Sequence, residues 1–75
     1  MLEHLDLRGT PCPVNFVRCR LALEKLKIGN ILEVDLDRGE PEEMVLSGLR
    51  KEGHQINIIH KESDWIRFTI ASNDS

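Results

Sequence analysis

Within 75 residues the apolar positions of this chain switch from a spacing of two to one of about 3.6 and back, twice over, with breaks of only a few residues. A chain patterned this way must build short strands and helices in strict succession. His4-Leu5-Asp6-Leu7-Arg8 alternates polar and apolar residues before Gly9, which predicts a strand ending in a turn. Gly9-Thr10-Pro11 reads as a loop. Pro13 suits the first helical position, where its missing N–H would have been unpaired anyway, and this puts Cys12 at the N-cap. Helix formers dominate from Pro13 to Leu26, and Gly29-Asn30 supplies the stop. On this helix Phe16, Cys19, Leu23 and Leu26 share one face and are assigned to the core, while Val14, Val17 and Leu21 lie nearly opposite and stay partly exposed.

Ile31 to Asp37 predicts a second strand with Leu32, Val34 and Leu36 buried. Pro41 opens a second helix, with Glu42 and Glu43 favourable at its positive end and Gly53 closing it. His54 to His60 and Trp65 to Ile70 read as two strands, joined by Lys61-Glu62-Ser63-Asp64 in an antiparallel hairpin, and Ala71 to Ser75 as a frayed tail. The order β-α-β-α-β-β implies an α+β fold: one domain over residues 1–75, a two-layer sandwich with two helices on one face of a four-stranded mixed sheet.

So short a chain buries only about 60% of the surface its unfolded form exposes, which leaves little room for an enclosed active-site cavity. It is expected to fold without a cofactor. A formal charge of −3 argues against direct nucleic-acid binding, which calls for a basic excess. The start of the chain lacks the layout of a secretory signal, and no apolar run reaches membrane-spanning length, so a cytoplasmic location is expected, without a membrane partner. Cys12 and Cys19 are seven residues apart on the predicted helix. That spacing separates their Cα atoms by roughly 10 Å, beyond the limit of about 7 Å for an unstrained disulfide. Both thiols are expected to be free, as in a reducing compartment.

Cys12 draws attention because a strand-to-helix loop, a helix start and two flanking prolines, Pro11 and Pro13, converge on it. A helix start offers unpaired N–H groups and about half a positive charge, which favours a thiolate or a persulfide anion. Thiols so placed can titrate at about 7 or below instead of about 8.5. The prolines stiffen the backbone and would hold the sulfur outward. Cys19, in register with the core face, reads as a hydrophobe. No two of Cys12, Cys19, His4, His54 and His60 have the short paired spacing of zinc ligands, so no metal site is expected. Asp6 and Arg8 lie close enough in sequence to tune the Cys12 thiol.

The string Asp6-Leu7-Arg8-Gly9-Thr10-Pro11-Cys12-Pro13 followed by a helix resembles the signature of the TusA/SirA-like small sulfur-carrier proteins, and length and element order agree along nearly the whole chain. The resemblance implies that Cys12 accepts sulfur as a persulfide from a cysteine desulfurase or similar donor. It would then relay that sulfur to an acceptor protein, for instance toward tRNA thiolation, as a sulfurtransferase or relay protein. Pro13 matches the first proline of the family's Cys-Pro-x-Pro motif, and Asn15 stands where the second would be. That departure bears on the tRNA pathway more than on the thiol chemistry. Val14, Val17 and Leu21, with Arg18 and Arg20 on the same helix, form either a docking surface beside the thiol or a mildly apolar solvent face. Two rival functions are a regulatory protein-binding module and a thiol redox sensor, neither transferring sulfur.

Overall fold

The computed structural model describes residues 2–71. Its elements are β1 (Leu2–Asp6), α1 (Val14–Lys25), β2 (Ile31–Asp37), α2 (Glu40–Lys51), β3 (Ile56–Lys61) and β4 (Trp65–Ala71). The strands form one sheet in the order β1-β2-β4-β3. β1 and β2 are parallel, and β4 runs antiparallel to both β2 and β3. The two helices cover one face, giving the two-layer mixed sandwich that the periodicities imply.

The core lies between that face and the helices. Leu32, Val34 and Leu36 of β2 stand directly opposite Ile70, Phe68 and Ile66 of β4. All six are buried, so the central strand pair presents an unbroken apolar ladder. Leu7, Cys19 and Leu26 close it from the first half of the chain, and Val45, Leu46 and Leu49 from α2. The helix-one faces fall as the spacing predicts: Cys19 and Leu26 are buried, Phe16 and Leu23 pack at the margin, and Val14, Val17 and Leu21 remain 47%, 49% and 49% exposed.

Several boundaries differ from expectation, each for a local reason. β1 runs from Leu2 to Asp6 instead of His4 to Arg8, because the Arg8 N–H turns back to donate to Asp6 Oδ1 and leaves the ladder. α1 starts at Val14 with Pro13 as its N-cap, so Cys12 stands one residue before the cap and not on it. α2 begins at Glu40, one residue before Pro41. β3 starts at Ile56 and continues through Lys61, with a register irregularity between Ile58 and His60. Ala71 is the last residue of β4, paired with Ile31, and not the start of a frayed tail; residues 72–75 lie outside the described residues.

Opposite the helices, the sheet is paved with ion pairs. Asp35, only 1% exposed, accepts from Arg67 Nε at 2.7 Å and Nη2 at 3.0 Å, the two residues being direct partners across β2 and β4. The imidazole of His4 reaches Glu33 at 2.8 Å and Asp35 at 3.2 Å. The guanidinium groups of Arg8 and Arg67 lie 5.0 Å and 5.3 Å from the centre of the Trp65 ring. A bidentate partner satisfies the buried carboxylate, which would be costly if left alone.

Candidate functional site

The loop from Leu7 to Pro13 is pinned to the sheet by acceptors at the strand ends. Leu7 N–H donates to Asp35 O at 2.8 Å, extending the β1–β2 contact by one residue. Gly9, at φ 78°, adopts a backbone that side-chain-bearing residues disfavour, and its N–H donates to Asp37 Oδ2 at 2.8 Å. Thr10 N–H reaches back to Leu7 O at 3.1 Å. Asp6 takes two further bonds from the Arg8 guanidinium, at 3.0 Å and 3.1 Å. Arg8 is therefore engaged by Asp6 and the Trp65 ring, on the sheet side of the loop.

The Arg8 side-chain and backbone hydrogen bonds hold the Asp6 carboxyl well below the usual carboxylate range, at about 2. Because the folded value is depressed, the stabilisation from this pair is present above about pH 4, where an unfolded Asp is ionised. It fades as pH falls toward about 2. Arg8→Met is expected to lose more stability relative to the native chain at pH 6 than at pH 2, a difference read from urea midpoints at the two pH values. Both groups are half exposed, so the effect is small.

Cys12 lies near the end of this loop, an exposed residue whose sulfur has a defined partner. Asn15 Nδ2 donates to Cys12 Sγ at 3.3 Å, while Asn15 Oδ1 accepts the Phe16 N–H at 2.7 Å. The second bond orients the amide: a backbone N–H needs an oxygen, so the NH2 end must face the sulfur. Asn15 is 0% exposed. The Asn15 N–H goes to Pro11 O at 3.0 Å and the Val17 N–H to Pro13 O at 3.1 Å. The N–H groups of Asn15, Phe16 and Val17 are thus spent on the loop and on the Asn15 side chain. The donor that reaches the sulfur is a side-chain amide, where the N-cap placement anticipated backbone N–H groups.

Beside the sulfur lies a cavity of about 270 Å³, lined by Cys12, Pro13, Asn15 and Phe16 on one side and by Met44, Ser47, Gly48 and Lys51 on the other. The second set recurs every three or four residues and is one face of α2. Gly48 permits the helices to approach: a Cβ there would stand 2.7 Å from the Phe16 ring. One turn further along both helices Arg20 pairs with Glu52 at 3.4 Å. The cavity is open and lies between the helices, outside the core, so it is compatible with a chain too short to enclose an active-site cavity. Cys12 is exposed, as the flanking prolines lead one to expect, and its sulfur also lies within reach of Asn15 beside this cavity.

The remaining sequence candidates fall in two places. Pro11 and Pro13 flank the thiol, with Pro13 lining the cavity. Val14, Val17, Arg18 and Leu21 lie on the exposed face of α1. Cys19 is buried, and desolvation pushes its thiol up to about 12. Among the described residues no group of three or more His, Cys, Asp or Glu side chains is arranged to hold a metal ion. Met44, Ser47, Gly48 and Lys51 escaped sequence reasoning. The available signal was Gly48, an unfavourable residue inside a helical pattern that usually marks a close packing contact.

A family model described as sulfurtransferase TusA matches residues 3–72. Two curated relatives, each named "Putative sulfur carrier protein", come from Archaeoglobus fulgidus and Thermotoga maritima. The first is 37% identical over 65 residues, 84% of this chain and 74% of the relative. The second is 38% identical over 63 residues, 81% of this chain and 80% of the relative. The crystal structure of a SirA-like protein from Desulfitobacterium hafniense superposes with a TM-score of 0.77, covering 99% of this chain and 100% of that one at 24% identity, and shares the fold. The chain belongs to the TusA family of sulfurtransferases.

Proposed function

We propose that this protein carries sulfur as a persulfide on Cys12, taking it from a cysteine desulfurase or similar donor and relaying it to an acceptor protein. The observation that carries this reading is the pairing of an exposed, free Cys12 with a buried amide donor and an open cavity at its sulfur. Family membership and the names of the relatives support it. In the loading step the Cys12 thiolate attacks the outer sulfur of the donor's persulfide. A new S–S bond forms at Cys12 as the donor's S–S bond breaks, and the donor cysteine leaves as a thiolate. No electrons enter or leave the pair, so neither cofactor nor oxidant is required.

Within this reading Pro11 and Pro13 stiffen the thiol loop, and Val14, Val17, Arg18 and Leu21 form the surface on which donor and acceptor dock in turn. The relay is of the kind that ends in tRNA thiolation, with protein partners contacting the RNA, since a formal charge of −3 gives this chain no basic excess for that purpose. Free thiols suit a reducing compartment such as the cytoplasm. The test is intact-mass analysis after incubation with a cysteine desulfurase and free cysteine. The native chain and Cys19→Ser should gain sulfur, and Cys12→Ser should gain none. Loading of Cys12→Ser to the native level would refute the assignment.

A further inference from the structure

Resting on that reading, we propose that the sulfur delivered to Cys12 is stored inside the cavity between α1 and α2, as an anionic sulfane sulfur held by the protein and not presented to solvent. A persulfide extends Cys12 by one S–S bond of about 2.05 Å. Cys12 and Asn15 both line the cavity and Cys12 Sγ stands 3.3 Å from Asn15 Nδ2, which puts open space beside the residue that gains the second sulfur. The space suits the occupant chemically. Phe16, Met44 and Pro13 offer polarizable and apolar surface for a soft sulfur atom, and Lys51, at the end of α2, is the one charged residue in a lining whose other polar side chains are Asn15 and Ser47. Asn15 offers two N–H groups, its oxygen being committed to the Phe16 N–H, so the amide can donate to the inner and the outer sulfur together. Asn15 thereby acts as a positioning residue for the carried atom.

The experiment loads Cys12 with inorganic tetrasulfide, which needs no docking surface. Cys12 thiolate and tetrasulfide give the Cys12 persulfide and trisulfide. Release is then followed with cyanide, which takes the outer sulfur as thiocyanate and returns the Cys12 thiolate. The native chain is compared with Ser47→Phe, which fills the cavity from an exposed position on α2 and leaves the core untouched. Loaded Ser47→Phe is expected to release thiocyanate at least about tenfold faster, the factor for losing one hydrogen bond to a charged group. The far-ultraviolet circular dichroism and urea midpoint of Ser47→Phe should match native, as expected for a substitution at an exposed position outside the core. Equal release rates from the two loaded proteins would overturn the proposal. The two readings fail separately: a chain that takes sulfur from tetrasulfide but never from a desulfurase would contradict the relay, whereas native and filled proteins that both load and release alike would contradict only the stored sulfur.

Discussion

Alkylation of the folded protein is expected to modify one cysteine and spare the other, with Cys19 reacting at least about 1,000 times more slowly than Cys12 at pH 8. The reactive species is the thiolate. With its thiol pushed up to about 12 by burial, Cys19 at that pH holds only about one part in ten thousand as thiolate. Access adds to the effect, because Cys19 is 0% exposed and packed in the core, so reagent reaches it only when α1 opens. Cys12 is exposed in a loop, where reagent meets it without any opening of the fold. Timed iodoacetamide labelling followed by peptide mass analysis measures both sites at once, and in denaturant the two rates should converge. Comparable rates in the folded protein would mean that α1 does not bury Cys19.

Phe68→Ala is expected to cost about 3–5 kcal/mol, the range for removing a fully buried aromatic side chain. Phe68 is 0% exposed and heads the largest fully buried side chains; its strand partners are Val34 on β2 and Ile58 on β3. The whole domain has only about 4–11 kcal/mol to lose if it follows the usual stability per residue. The variant should therefore be partly unfolded at 25 °C, read as a collapsed urea midpoint. Exposed Lys27→Ala in the α1–β2 connection should move that midpoint by less than about 0.5 kcal/mol equivalent. A Phe68→Ala midpoint within that margin would mean the β2–β4 ladder is not the centre of the core.

The parts of this fold that could be read from sequence are those whose cause is local. β2 was legible to the residue because Leu32, Val34 and Leu36 alternate with acids and a helix stop precedes them. The end of β1 was misplaced because Leu7 continues the alternation and is buried, while the backbone departs when Asp6 captures the Arg8 N–H. Burial of Asp35 could not be seen, since an acid alternating with leucines normally faces water, and its partner Arg67 meets it only once the strand order is known. At the site, Cys12 stood out through its prolines and its loop. Asn15 was marked only as a motif position; its burial and its bond to the thiol were not visible, because a polar residue in a first helical turn is ordinarily solvated. The cavity needed two helices that no local pattern brings together.

The contact between Phe16 and Gly48 makes the environment of the thiol depend on a position 36 residues away in the chain. The ring behaves as a spacer: one side rests on bare helix backbone, and the other forms part of the wall beside Cys12. A side chain at 48 would displace the ring, and with it part of the wall beside the thiol, so positions 16 and 48 are coupled. The width of the gap at the thiol is thus set by a missing methyl group, and tuning that gap across related chains requires no alteration of the cysteine loop at all.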